Sequence, residues 1–141
     1  MADPSPGRIV LMSVHPEYAE ALLNGTKTVE LRKARLANST SHIVIYATAP
    51  VQRVVGWVKA GHIEDGTPRT IWQKHKSRVG ILEQAFRRYY RGHRRAVAIH
   101  VESPQRLAMP LELSAVEDGL TPPQSWRYLS DTAAESVGIR V

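Results

Sequence analysis

Lys27, Glu30 and Arg32 stand close together in the segment Gly25-Thr26-Lys27-Thr28-Val29-Glu30-Leu31-Arg32-Lys33, and their types suit work on a nucleobase or a phosphate. A lysine in a semi-enclosed cleft loses proton affinity and can act as donor or nucleophile, while a carboxylate beside it shuttles a proton. Arg32 offers a planar fork that binds a phosphate or a base edge with two bonds at once. Thr28, or Thr26, would add a hydroxyl. Lys27, Glu30 and Thr28 are therefore the candidate catalytic residues, and Lys27 and Arg32 are candidate ligands for nucleic acid. A purely structural reading stands beside this one: Glu30 pairs with Lys27 or Arg32 to balance charge at the mouth of a fold.

A second group lies in the basic half of the chain. The net charge is +6. From Thr67 to Arg95 there are nine Lys or Arg residues against one acid, Glu83, whereas from Glu112 to Ser136 there are five acids against one base, Arg127. Such an imbalance attracts polyanions by neutralising phosphates, though a basic run can also be a solvated helix face. Arg87, Arg88, Arg91, Arg94 and Arg95 are the densest cluster and the candidate phosphate track. Trp126 and Tyr128, beside Gln124 and Ser125 in a Pro-rich segment, are candidate stacking surfaces for unstacked bases. Trp72 and Tyr89 fall at spacings that place them in the core.

Other chemistries find no support. Gly25-Thr26-Lys27-Thr28 lacks the spacing of a phosphate-binding loop and leads into a strand, not a helix. No Gly-x-Ser-x-Gly elbow occurs. The six histidines, His15, His42, His62, His75, His93 and His100, show no short metal-binding spacing, and the chain has no cysteine. No metal and no cofactor are expected.

The elements that must hold these residues can be read from periodicity. Ile9 to Val14 is an apolar strand, and Pro16 suits the first position of a helix that Asn24-Gly25 ends. Thr28 to Arg32 alternates, so Val29 and Leu31 face one side while Thr28, Glu30 and Arg32 share the other. Strands follow at 42–48 and 53–59. Thr67-Pro68 caps a short helix carrying Ile71, Trp72 and His75 on one side. A helix over 81–91 turns Leu82, Ala85, Phe86 and Tyr89 inward and Arg87, Arg88 and Arg91 outward, and Gly92 stops it. Ala96 to Glu102 is a strand, Arg106 to Leu111 a short one interrupted by Pro110, and 124–128 a turn of helix after Thr121-Pro122-Pro123. Met1 to Arg8 reads as a disordered tail and 9–141 as one domain. Strands without regular βαβ alternation predict an α+β fold, a small closed β-barrel of five or six strands with flanking helices.

The motif Gly25-x-Lys27-Thr28-x-Glu30-x-Arg32 resembles the signature of the ASCH domain family, part of the PUA-like superfamily of RNA-associated barrels. Ile43 to Ala47 with Ala49-Pro50, then Val55-Gly56, are similar to the family's next two strands. Phe86-x-x-Tyr89-Tyr90-x-Gly92 followed by Ala96 to Val101 is similar to its helix and return strand, and Pro122 to Leu129 resembles a segment near the end of related proteins. The resemblance implies a PUA-like barrel whose members bind nucleic acid or act as ribonucleases. One small member hydrolyses the amide of N4-acetylcytidine. Against that enzyme Lys27 matches its lysine, Glu30 stands where it has a threonine, and the position of its catalytic glutamate falls near Ile81, with Glu83 offset by two residues.

Three functions follow, in order. The first is a nucleic-acid-binding module, RNA preferred and DNA admissible, that holds a base or nucleotide in a charged cleft at the barrel mouth. The second is a metal-independent hydrolase of a modified nucleoside or of RNA, an amidohydrolase or ribonuclease. The third is an adaptor that binds only protein. With no signal peptide and no apolar run long enough to cross a bilayer, a cytoplasmic location and no membrane partner are expected.

Overall fold

The structure is a computed structural model that describes residues 7–140. In chain order it contains β1 (Arg8–Val14), α1 (Pro16–Asn24), β2 (Val29–Arg32), β3 (Thr40–Ala47), β4 (Arg53–Gly66), α2 (Pro68–His75), α3 (Glu83–Tyr89), β5 (Ala96–Leu111), α4 (Leu113–Val116), β6 (Trp126–Leu129) and α5 (Asp131–Glu135). Residues 1–6 of the expected tail lie outside the described residues, and β1 begins at Arg8. None of the described helices is long and apolar enough to cross a membrane.

All six strands form one sheet in the order β2-β5-β4-β3-β1-β6. β1 runs parallel to β3, and every other neighbouring pair is antiparallel. The expected closed barrel is not formed: the sheet is open, with β2 and β6 as its edges. Both edge strands are four residues long, and each pairs on one side only, β2 with β5 and β6 with β1. No ladder joins the two edges. Side chains reach across instead: Arg32 of β2 donates to the Ser13 carbonyl at 3.0 Å and to Ser125 Oγ at 3.2 Å, and the Ala37 amide donates to the Tyr128 hydroxyl at 3.2 Å.

Apolar alternation produces three buried apolar clusters. On one face, Val10, Met12, Ile43, Ile45, Val97 and Ile99 pack under Ala19, Leu22 and Leu23 of α1. On the other, Ile9, Leu11, Val44 and Val54 pack against α4, α5 and Val137 to Ile139. Val29 and Leu31 of β2, with Ala96 and Ala98 of β5, pack under Ile71, Val79, Phe86 and Tyr90 of the α2–α3 region. The alternation expected in β2 is therefore present: Glu30 pairs with Ile99 on the α1 face, while Val29 pairs with His100 on the opposite one.

Several elements differ from the periodicity reading; β4 runs on to Gly66 instead of ending at 59, and the short helices α4 and α5 are not foreseen by it. β5 runs unbroken through Pro104 and Pro110, because its outer half is exposed and its register against β4 shifts there, which tolerates proline. Residues 126–129 are an antiparallel strand rather than a turn of helix, since their backbone pairs with β1. Leu82 is the N-cap of α3, 80% exposed rather than inward, because the helix starts at Glu83, two residues later than expected.

Candidate functional site

The end of α1 delivers Lys27. Gly25 takes the left-handed conformation (φ 82°) and its amide bonds back to Leu22, after which the Lys27 amide bonds to the Ala21 carbonyl at 3.0 Å. Lys27 is 2% exposed. Its ammonium donates to the Val79 carbonyl, lies 3.5 Å from Glu30 Oε1 and sits 5.4 Å from the centre of the Tyr18 ring. Burial pushes the Lys27 pKa down, and the Glu30 carboxylate opposes that shift only in part.

Glu30, 5% exposed, is held from two sides. Its Oε2 accepts from Arg32 Nε at 3.0 Å and from Arg32 Nη2 at 2.7 Å, a two-bond clasp along the strand. The guanidinium is further bound to Ser13 and Ser125, so its fork is committed mainly to the protein. The structural pairing foreseen for Glu30 is thus present with both partners. It leaves Lys27 as the member of the trio whose charge is least compensated.

The turn after α2 covers this trio. The Arg78 carbonyl accepts from the amides of Thr28 and Val29, and Gly80 lies over Lys27 with φ +63°. A Cβ on Gly80 would come within 2.9 Å of Lys27 Cβ and 3.2 Å of its Cγ. Gly80→Ala is therefore expected to lower stability by about 1–2 kcal/mol from the left-handed backbone alone, with the lysine displaced. A thermal melt with the lysine's NMR chemical shifts checks it. An unchanged melt and unchanged shifts would show that the turn relaxes freely.

A cleft of about 600 Å³ opens above the trio, within the range that holds a nucleotide-sized ligand. Its walls come from the end of β1 (Ser13, Val14, His15), from Tyr18 of α1 and from Ile81, Ala85, Arg88 and Tyr89 around α3, with Gln124 at the far rim. Tyr18 meets the His15 ring edge-on at 6.0 Å, and burial raises its pKa. Tyr89 is 36% exposed, carries Lys33 over its ring at 4.5 Å, and also has its pKa raised by burial. Beneath it the buried Tyr90 hydroxyl donates to the Arg32 carbonyl at 2.9 Å, and its pKa is raised by burial.

The structure brings together Lys27, Glu30, Arg32 and Arg88, and it separates the rest. Thr28 is half-buried and does not line the cleft, while its amide and carbonyl are bound to Arg78 and Val101. Arg87 pairs with Glu83 at 2.6 Å and lines a different groove between α2 and α3. Arg91, Arg94 and Arg95 are exposed on the segment beyond α3, and like Arg88 they form no ion pair among the described residues. Trp126 and Tyr128 lie on β6, half-buried against the α1-side core, with ring centres 5.2 Å apart; neither lines the cleft. Ile81 lines the cleft, whereas Glu83 does not, so no carboxylate stands at the place the amide hydrolase would require.

Sequence reasoning missed His15, Tyr18 and Tyr89 as cleft residues. In the sequence His15 is one of six histidines without a motif, and Tyr18 stands within α1 with no pattern that singles it out. Tyr89 falls at a core spacing, yet it is 36% exposed and lines the cleft. It also did not foresee Glu64, His75 and His100 meeting on the reverse face, since they come from β4, α2 and β5.

Comparison with known proteins finds relatives of the same fold. The ASCH domain profile matches residues 12–105. An ASCH domain-containing ribonuclease of Zymomonas mobilis is 32% identical over 133 residues, spanning 92% of this chain and 89% of that protein. The crystal structure of ASCH from Zymomonas mobilis superposes with a TM-score of 0.83 at 29% identity, covering 91% of this chain and 92% of that one. The N-terminal domain of Staphylothermus marinus McrB shares the fold, with a TM-score of 0.59 at 10% identity and 92% of each chain covered.

Proposed function

The chain belongs to the ASCH domain family, and on that premise we propose that it binds single-stranded RNA in the Lys27 cleft and cleaves its phosphodiester backbone. The observation that carries this reading is the buried lysine, with its proton affinity lowered, at the floor of a cleft rimmed by tyrosines and an unpaired arginine. A relative named as a ribonuclease, similar over nearly its whole length, supports the choice of RNA.

The chemistry assigned to the cleft is attack by the RNA's own 2′-hydroxyl. His15 accepts the 2′-hydroxyl proton, O2′ bonds to phosphorus, and the bond from phosphorus to O5′ breaks as O5′ takes a proton from Lys27. The products are a 2′,3′-cyclic phosphate and a 5′-hydroxyl. Arg88 neutralises the phosphate at the rim, and Tyr18 and Tyr89 offer ring faces to the flanking bases. Glu30 and Arg32 position Lys27 rather than meet the substrate.

Arg88, Arg91, Arg94 and Arg95 supply the phosphate track, with Arg87 excluded because Glu83 already neutralises it. Replacing these four by Ala is expected to flatten the salt dependence of RNA affinity by up to roughly 0.7 log units per log of salt for each lost phosphate contact. Arg87→Ala leaves the slope in place. Fluorescence anisotropy with a labelled single-stranded RNA, and matched DNA as control, checks both. A fourfold variant with unaltered slope would remove the track. Incubating the same RNA with the protein, with and without chelator, tests cleavage: intact RNA at all salt concentrations would reduce the proposal to binding.

A further inference from the structure

On the opposite face of the sheet from Lys27, three side chains from three elements converge. Glu64 of β4 pairs with Ala98 and His100 of β5 pairs with Val29, both on the face covered by α2 and α3, and His75 ends α2 above them. His75 Nε2 lies 2.8 Å from Glu64 Oε1, and His100 Nε2 lies 3.7 Å from the same oxygen. The three donor atoms all lie within 4.8 Å of one another. We infer that Glu64, His75 and His100 form a binding site for a divalent transition-metal ion, distinct from the Lys27 cleft and independent of what that cleft does.

The donor set carries the inference. Two imidazoles and one carboxylate match the ligand chemistry of zinc and its neighbours, and they leave a coordination position for water. His75 is 5% exposed, and its Nδ1 is enclosed without a hydrogen-bond partner among the described residues. Its polar business is therefore confined to Nε2, the nitrogen that faces Glu64. Backbone pairing fixes Glu64 and His100 on adjacent strands, and His75, itself buried, ends a helix whose Ile71 belongs to the buried cluster with Val79 and Phe86. The ligands thus stand on a preformed frame. Lys74 also holds Glu64, through Oε2, leaving Oε1 to the histidines. The Lys74 side chain is 55% exposed, so it can turn into water when a cation enters.

One feature weakens the site in a predictable way. A histidine that ligates through Nε2 carries its proton on Nδ1, and here that proton meets no acceptor. Missing outer partners lower metal affinity by roughly 10- to 100-fold. The ion would also tie α2 to the trio on the other face. The His75 carbonyl accepts from the Arg78 and Val79 amides, and the Val79 carbonyl holds the Lys27 ammonium. Loading the site stabilises the turn that clamps Lys27.

The test uses untagged full-length protein, freed of metal by chelator and titrated with Zn²⁺, with Mg²⁺ as the hard-cation control. Calorimetry is expected to show about one equivalent of Zn²⁺ bound and a raised melting temperature, with no effect of Mg²⁺. His100→Ala and Glu64→Gln should each weaken Zn²⁺ binding by at least roughly tenfold, since loss of an outer partner alone costs that much. Co²⁺ added to the unaltered protein should give the intense visible absorption of a low-coordinate nitrogen and oxygen site, a readout that does not depend on either variant folding. Absence of heat, of stabilisation and of that spectrum overturns the site. Zn²⁺ binding that survives in both variants at full strength also overturns it, because the ion would then sit on other histidines.

Discussion

Glu30→Ala is expected to destabilise the protein by about 3–5 kcal/mol, the cost of breaking a buried ion pair by removing one partner. Glu30 is 5% exposed and its carboxylate is the shared counter-charge of Lys27 and Arg32. Without it the Lys27 ammonium keeps only the Val79 carbonyl and the Tyr18 ring, and two guanidinium donors of Arg32 lose their acceptor. Two like charges are then left facing each other in a poorly solvated space. Arg32 also spans the gap between the sheet's edges, so its loosening frees β2 from Ser13 and Ser125. At this chain length the loss corresponds to a fall of roughly 10–20 °C in melting temperature.

Lys27→Met should behave differently, staying within about 1 kcal/mol of the parent at neutral pH. It removes a charge that burial disfavours, and Glu30 keeps its two-bond clasp from Arg32. The pH dependence separates the two variants further. Because the folded pKa of Lys27 lies below its unfolded value of 10.5, the unfolded chain binds more protons between the two. The parent therefore gains stability from this group as pH rises through that window, and it carries the full burial penalty below its folded pKa. Lys27→Met lacks that rise. Urea denaturation of the three proteins from neutral pH to 10.5 reads all of this. A Glu30→Ala protein as stable as the parent would show that water reaches the trio.

The motif from Gly25 to Arg32 made the heart of the site legible, because strand alternation alone puts Glu30 and Arg32 on one face and a helix-ending glycine places Lys27 beside them. What it could not show is how Arg32 is spent. The sequence marks a guanidinium free to grip phosphate, yet the fork closes on Ser13 and Ser125, residues from β1 and from the segment before β6. Those contacts depend on how far the sheet curves, which no local pattern encodes. The expected barrel fails to form for a related reason. The expected number of strands is present, but β4 and β5 run about twice their expected lengths and β6 stands where a helical turn is expected, while the two edge strands β2 and β6 are four residues each and do not pair. The arginine run was read as one unit, whereas a helical turn divides it: Arg88 faces the cleft and Arg87, one residue earlier, closes on Glu83. The three metal-ligand candidates come from distant stretches, beyond the reach of any spacing rule.

Lys27→Met is expected to lower RNA cleavage by roughly 10²- to 10⁴-fold, the range for losing a positioned proton donor. RNA affinity should fall less than about fourfold, since on the proposed reading Arg88 and the exposed arginines beyond α3 would supply most of the phosphate neutralisation. The effect therefore sits in kcat and not in KM, provided circular dichroism shows the variant folded. Lys27→Arg sharpens the test. Arginine keeps the positive charge but does not give up its proton. If the lysine protonates O5′, the arginine variant is as impaired as the methionine one. If the lysine only stabilises charge on the phosphorus oxygens, the arginine variant recovers most of the rate. Full turnover in Lys27→Met would move the proton transfer to another group in the cleft and leave the buried trio with a structural role alone.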